Sequence, residues 1–331
     1  MAGFRRERGE RATTRLFFAS DLHGSTPAFR KFINAARVFD VDALVFGGDL
    51  MGKALVPILA EPSGALRAEF QGLSHELSAE DLGGFARSVE AAGFYWKVMD
   101  PDEHRALRDD PAALAALFDR LARERLEAWI VFAEERLAGE VRCYLTGGND
   151  DSPAVLSALE EARGEHVVAC EHRVIELDGV HTMITIGYST PTPWRTAREA
   201  SEEEIAAWID ASMRGVPDPS RCVFNLHVPP VDSGLDTCLR LAETDGELPT
   251  PVKDQGRPVW FGAGSRAVRE AIRTYQPAVG LHGHIHESPG HRRYGRTHCF
   301  NPGSEYGQGI LRGMVLSLRD GEVVGYQLVS G

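Results

Sequence analysis

Five short segments of this chain carry Asp, Asn or His side chains directly after an apolar run, and this repetition most constrains the fold. The five segments are Asp21-Leu22-His23, Gly48-Asp49, Gly148-Asn149, His227 and Gly283-His284-Ile285-His286. The apolar runs before them are short, as buried parallel strands are. Open α/β sheets build their sites where strands give way to loops. The pattern therefore predicts an α/β fold with one site at its strand ends.

Two of these segments place ligand-type residues two positions apart. Side chains two apart in a strand lie on the same face, so His284 and His286 point at a shared target, as do Asp21 and His23. Taken alone, a His-rich surface turn or a turn capped by an aspartate explains each pair equally well. The number of such segments along the chain favours a metal ion as the target.

The composition restricts the class of protein. The chain has 331 residues, of which 43% are hydrophobic and 25% charged, enough for one large core or two modest ones. Its net charge, 36 − 48 = −12, argues against an extended nucleic-acid surface or binding to an anionic membrane. A small phosphorylated substrate stays compatible with this charge, and a homo-oligomer is left open.

The N-terminus and the cysteines indicate a cytoplasmic location. The first ten residues lack the apolar core of a signal peptide, and no later run is apolar enough to span a bilayer. The five cysteines are odd in number and widely spaced, which is typical of buried thiols rather than a disulfide framework.

The alternation of strands and helices stops between residues 52 and 140. Apolar residues recur there at helical spacing, which predicts a helical cap inserted into a domain that spans 15–331. His75 and His104 in this segment are candidates for substrate contact, although ordinary packing or solvated positions explain them as well.

The strand-end residues together make seven candidate metal ligands, which are Asp21, His23, Asp49, Asn149, His227, His284 and His286. Their mixture of imidazole, carboxylate and amide groups suits Mn, with Fe, Ni or Zn as alternatives, better than Ca. Seven ligands are too many for one ion. If Asp49 bridges, they form two sites of four ligands each.

These motifs resemble the calcineurin-like metallophosphoesterase superfamily, whose pattern is Asp-x-His, Gly-Asp, Gly-Asn-His-Asp/Glu, a later His and Gly-His-x-His. The five segments match it in order, and Asn301-Pro302-Gly303-Ser304 matches a further turn. The resemblance implies a four-layer α/β/β/α sandwich of two mixed sheets. It implies that one ion is held by Asp21, His23, Asp49 and His286, and the other by Asp49, Asn149, His227 and His284. The implied chemistry is phosphoester hydrolysis by a metal-bridging hydroxide. Asp49, Asn149 and Asp150 are the candidate catalytic residues.

Two departures from the family pattern bear on the substrate. Asp150 replaces the histidine that protonates the leaving group, and the stretch 48–54 has Lys53 but neither the carboxylate partner of that histidine nor the phosphate-binding arginine. Asp150 could replace that acid only if burial raised its pKa, and nearby cations act in the opposite direction. A small-molecule phosphoesterase that acts on diesters or on esters with good leaving groups is therefore favoured. An acid from the insertion, His75 or His104, is the other solution.

Two alternative functions stay open. One is a phosphomonoesterase, including a protein phosphatase, and the other is a weakly active metal-binding scaffold. His282 faces away from its histidine neighbours and is expected to pack behind the site. Asp151 is expected to cap the next helix or to support the ligands.

Overall fold

The chain folds into seven α-helices and twenty-two strands in a computed structural model that describes residues 13–139, 141–242 and 249–331. The helices are α1 (Thr26–Val38), α2 (Leu82–Ala91), α3 (Pro101–Asp109), α4 (Pro111–Arg136), α5 (Pro153–Glu161), α6 (Glu202–Met213) and α7 (Arg266–Tyr275). The strands are β1 (Thr14–Ala19), β2 (Ala43–Phe46), β3 (Leu55–Ala60), β4 (Leu66–Phe70), β5 (Leu73–Leu77), β6 (Tyr95–Met99), β7 (Arg142–Leu145), β8 (Val167–Ala169), β9 (Val174–Glu176), β10 (Thr182–Ile186), β11 (Cys222–Leu226), β12 (Thr237–Leu239), β13 (Leu241–Ala242), β14 (Thr250–Pro251), β15 (Lys253–Asp254), β16 (Arg257–Pro258), β17 (Trp260–Gly262), β18 (Val279–Leu281), β19 (Gly290–Tyr294), β20 (Thr297–Asn301), β21 (Arg312–Arg319) and β22 (Glu322–Ser330).

Two six-stranded mixed sheets form the inner layers. The first has the order β22-β21-β1-β2-β7-β8 and the second the order β19-β20-β18-β11-β10-β9. Four neighbouring strands in each sheet are parallel, and antiparallel strands complete the edges. The carboxyl ends of the parallel strands therefore lie at a common edge of each sheet.

The side chains of β1 show why the two sheets pack face to face. Leu16 and Phe18 belong to the apolar cluster between the sheets, whereas Phe17 and Ala19 belong to the cluster beneath the helices. Because successive strand side chains point to opposite faces, an uninterrupted apolar run fills both clusters. All four side chains are fully buried.

Helices cover the outer face of each sheet. Helices α1, α4 and α5 pack on the first sheet, and α6 and α7 pack on the second. The indole of Trp129 in α4 stacks on the ring of Phe29 in α1 with centroids 4.2 Å apart. These layers confirm the predicted four-layer sandwich.

The prediction that residues 52–140 are helical is wrong for a large part of that segment. Strands β3 to β6 form a separate four-stranded sheet of order β5-β4-β3-β6, which packs against α2. The β4–β5 hairpin turns at Gln71 and Gly72, both with positive φ (52° and 76°), as tight hairpins require. Helix α4 contributes Leu126, Trp129 and Ala133 to the core of the sandwich. The division of the chain into a domain and an insertion stays a prediction.

Local sequence signals fix several helix starts. Asp110 caps α4 by accepting hydrogen bonds from the backbone N–H groups of Ala112 and Ala113, and Pro111 occupies the first turn. Ser201 and Glu204 form the predicted capping box of α6. All five cysteines are free thiols. Among the described residues, no helix has the length and hydropathy needed to cross a bilayer.

Candidate metal centre

All seven candidate ligands converge where the two sheets present the carboxyl ends of their parallel strands. The loops after β1, β2 and β7 supply ligands from the first sheet, and those after β11 and β18 supply them from the second. Five of the ligands are at most 3% exposed, whereas His284 and His286 are partly exposed. The site is therefore buried on the side of the sheets and open beside the two histidines.

The first group of ligand atoms comes from Asp21, His23 and His286. The Nε2 atoms of His23 and His286 lie 3.0 Å apart, and His286 Nε2 lies 3.4 Å from Asp21 Oδ1. One ligand atom from each residue falls within 4.8 Å of the others. These separations suit three ligands around one small cation.

The second group comes from Asp49, His227 and His284, whose ligand atoms also lie within 4.8 Å of one another. Asn149 joins it, since its Oδ1 is 3.1 Å from His227 Nε2. The Asn149 amide donates from Nδ2 to Thr196 Oγ1 at 2.9 Å. Its oxygen therefore faces the histidine and is available to a cation.

The Asp49 carboxylate lies between the two groups. Its Oδ2 is 3.7 Å from His23 Nε2 and 3.5 Å from His227 Nε2. Asp49 is thus placed beside both sets of ligand atoms, as a bridging carboxylate would be.

The backbone at four ligands is held in an unusual conformation. Asp21, His23, Asp49 and His284 have φ values of 59°, 41°, 55° and 67°. Side-chain-bearing residues rarely adopt this left-handed region, and such strain persists only where surrounding structure imposes it. Clustering of these conformations at one site favours a functional role.

The glycines before Asp49 and Asn149 allow close approach of the backbone. A Cβ at Gly48 would lie 2.5 Å from His227 Nδ1, and one at Gly148 would lie 2.1 Å from Asp49 Oδ1. Both contacts are too short for any larger residue, so the ligand loops pack only with glycine at these positions.

Neighbouring groups fix the orientation of the ligands. His227 Nδ1 donates to the Gly47 carbonyl at 2.8 Å, which leaves Nε2 directed at Asp49 and Asn149. Asp151 accepts hydrogen bonds of 2.7–2.8 Å from the backbone N–H groups of Leu50, Met51 and Gly148. It therefore joins two ligand loops, while Ser152 is the N-cap of α5.

The predicted turn at 301–304 supports the site from the other side. Ser304 Oγ donates to the Asp21 carbonyl at 2.6 Å, and Asn301 Nδ2 donates to the Ile285 carbonyl at 2.8 Å. His282 donates from Nδ1 to the Leu226 carbonyl and is fully buried behind the ligands. His282 thus packs as predicted.

Burial and mutual charge separate the pKa values of the ligands. Burial lowers the pKa of His284 to about 4, which keeps this imidazole neutral and able to bind a cation. Burial opposes ionisation of Asp21, but the hydrogen bond and charge of His286 outweigh it and lower its pKa to about 2. Burial also lowers the pKa of His227, but the Asp49 carboxylate overcomes this effect and raises it to about 9.

The structure adds two residues that the sequence analysis did not place at the site. Lys53 Nζ pairs with Asp150 Oδ2, and this carboxylate oxygen lies 3.6 Å from His23 Nδ1. The ring of Tyr306 lies 4.6 Å from that of His23. Lys53 follows Asp49 by four residues in the same loop, but its contact with Asp150 joins two loops that are far apart in the sequence, and no local motif marks Tyr306.

The two histidines proposed as acids from the insertion lie in different surroundings. His75 packs against Phe85 with ring centroids 4.9 Å apart, and Phe85 belongs to the small core between the four-stranded sheet and α2. His104 lines the same surface cleft as Lys53. Of the two, only His104 shares a cavity with a residue next to the ligands.

Neither a family model nor a curated protein matches this chain in sequence. One solved structure matches 96% of this chain and 99% of its own, with 16% identity and a TM-score of 0.57. The structure of TT1561 of Thermus thermophilus matches 97% and 99%, with 15% identity and a TM-score of 0.49. A novel archaeal phosphodiesterase matches 96% and 100%, with 11% identity and a TM-score of 0.33.

The first of these matches shows that the fold occurs among solved structures. The other two have TM-scores below 0.5 and support no inference. The four-layer architecture and the convergence of the motifs agree with what the resemblance in sequence implies.

Proposed function

We propose that this chain is a dinuclear metal-dependent phosphoester hydrolase that acts on phosphodiesters or other small phosphate esters. The observation that carries the proposal is the position of Asp49, whose Oδ2 lies within 3.7 Å of a ligand nitrogen from each group. The two groups of imidazole, carboxylate and amide ligands at the site fit a pair of divalent cations.

The ligands divide between two ions that share Asp49. Asp21, His23 and His286 would hold one, and Asn149, His227 and His284 the other, with Mn as the first choice and Fe, Ni or Zn as alternatives. Two such cations, when bound, lower the pKa of a coordinated water and stabilise charge on the phosphoryl oxygens. We also propose that the protein is cytoplasmic.

The chain's own residues shape the rest of the site. His284 and His286 are partly exposed, so a phosphate ester would enter the site on the side of these two histidines. The Lys53 ammonium, next to Asp150, supplies a positive charge for a phosphate oxygen. Lys53 thereby takes over part of the role of the missing arginine, but it lacks the planar fork of a guanidinium.

Asp150, the candidate proton donor for the leaving group, points to the same class of substrates. Burial and the neighbouring Asp49 raise the pKa of Asp150 to about 6 in the metal-free protein. Bound cations lower that pKa again, because they stabilise the ionised carboxylate. Asp150 would then be a poor proton donor, so we expect preference for diesters and for esters whose leaving group needs no proton.

A substrate panel tests this proposal. Protein loaded with Mn²⁺ should hydrolyse bis-p-nitrophenyl phosphate and cyclic diesters faster than alkyl monoesters. Asp49→Ala should abolish turnover and keep the folded circular-dichroism spectrum, whereas Asp210→Ala on the outer surface of α6 should retain activity.

The outcomes separate the three candidate functions. Faster hydrolysis of alkyl monoesters would favour a phosphomonoesterase. Absence of turnover with every metal and every ester would contradict the proposed enzyme function. The metal-binding scaffold would then be the favoured alternative.

A further inference from the structure

A largely apolar cleft of about 520 Å³ has Lys53 in its lining, and this lysine pairs with Asp150 beside the candidate metal centre. It lies between strand β3 of the insertion and helices α3 and α4. Its walls include the aliphatic and aromatic side chains of Leu55, Met99, Leu107, Leu114 and Phe118.

Lys53 connects the cleft with the ligands. Its side chain lines the cleft and its Nζ pairs with Asp150, whose Oδ2 lies 3.6 Å from His23 Nδ1. The Lys53 side chain is 48% exposed, although its Nζ pairs with Asp150. Lys53 thus belongs both to the lining of the cleft and to the polar groups beside the ligands.

The lining of the cleft restricts what it can bind. Polar groups come from Lys53 at one end and from His104, Arg108 and Asp119, while the remaining lining residues are apolar. A sugar or a nucleobase needs several directed hydrogen bonds, and unpaired polar groups lose affinity on burial. An aryl or alkyl group gains affinity from the same surface, and the volume falls within the range of small-molecule sites.

We infer that this cleft binds an apolar aryl or alkyl group of the substrate while its phosphate lies at the metal ligands. The substrate is then a phosphate ester with a hydrophobic ester group rather than a nucleotide or a sugar phosphate. This inference rests on the proposed function, because the ligands position the phosphate. It adds the chemical class of the group that the phosphate carries.

Phosphonates test the inference without turnover. Isothermal titration calorimetry on the Mn²⁺-loaded protein would compare phenylphosphonate with methylphosphonate, which differ only in the group offered to the cleft. We expect the phenyl compound to bind about tenfold more tightly, since it buries one ring against apolar side chains.

Two substitutions in α4 should remove this preference. Ala115 lines the cleft at an exposed helix position, so Ala115→Phe narrows the cleft with little cost to folding. Leu114→Gln makes the same wall polar. Both should reduce the phenyl-to-methyl affinity ratio to about one. Ala116→Phe, an exposed neighbour that does not line the cleft, should keep the wild-type ratio.

The results distinguish a failure of this inference from a failure of the proposed function. Equal affinity for both phosphonates in the wild type, together with hydrolysis of diesters, would overturn the proposed role of the cleft. The proposed enzyme function would then still hold. An equal loss in Ala115→Phe and Ala116→Phe would also overturn it. A tenfold preference that is lost only in Ala115→Phe and Leu114→Gln would support the cleft even if no ester were hydrolysed.

Discussion

Metal affinity should depend steeply on pH because of His227. In the metal-free protein the Asp49 carboxylate raises the pKa of this imidazole to about 9, against the effect of burial. A metal ion and a proton compete for Nε2, since Nδ1 is occupied by the Gly47 carbonyl. Below pH 9, binding of the metal must therefore displace a proton from His227.

The size of the effect follows from that pKa. Between pH 6.5 and pH 8.5 a group with a pKa of about 9 passes from almost full to about three-quarters protonation. The competing proton then weakens metal affinity by about 75-fold, or about 2.6 kcal/mol, at the lower pH. Metal affinity must fall at lower pH, because a proton on His227 Nε2 excludes the metal and the raised pKa means that this protonated form is favoured.

Competition of the protein with a chelating indicator for Mn²⁺ across this pH range would measure the slope. His227→Asn offers an amide oxygen that does not titrate, so its slope should be smaller than the wild-type slope by about one proton. The exposed His291→Asn should keep the wild-type slope. Identical slopes in wild type and His227→Asn would refute the reasoning.

Two further predictions concern stability. Leu126→Ala should destabilise the protein by about 3 kcal/mol in urea unfolding, because Leu126 is fully buried beneath the first sheet. As a control, Val131→Ala should change stability by less than about 1 kcal/mol, because Val131 is 56% exposed on the same helix. Equal losses of stability would place α4 outside the core. Asp178 accepts hydrogen bonds from the backbone and ring of His181, and these outweigh burial and hold its pKa below the ordinary value. Asp178→Asn should therefore cost about 2 kcal/mol at pH 7, and this deficit should shrink as the pH falls below about 4; a deficit that stays constant from pH 7 to pH 3 would contradict this.

The convergence of the seven candidate ligands could be predicted from the sequence because each one is marked locally. Asp21 and His23, like His284 and His286, stand two apart after an apolar run, and Gly48 before Asp49 is required by the close approach of His227. Parallel strands then bring such positions to one edge. The α/β class and the convergence of the motifs were accessible for the same reason, whereas the four-layer sandwich was implied by the resemblance.

The structure of the segment 52–140 could not be predicted as well, although its sequence carries a signal. Leu66, Ala68 and Phe70 alternate with polar residues before the Gln71-Gly72 turn, which indicates a hairpin. In helix α4, periodicity shows that one face is apolar but not which surface that face packs against. The contact between Lys53 and Asp150 joins loops that are far apart in the sequence, and no local pattern encodes it.

A crystal of the protein grown with Mn²⁺ would test the central claim most directly through anomalous scattering at the manganese edge. We expect two peaks about 3.5–4 Å apart, each next to the Asp49 carboxylate, with one near His286 and the other near His284. A single peak, or two peaks of which only one contacts Asp49, would contradict the account.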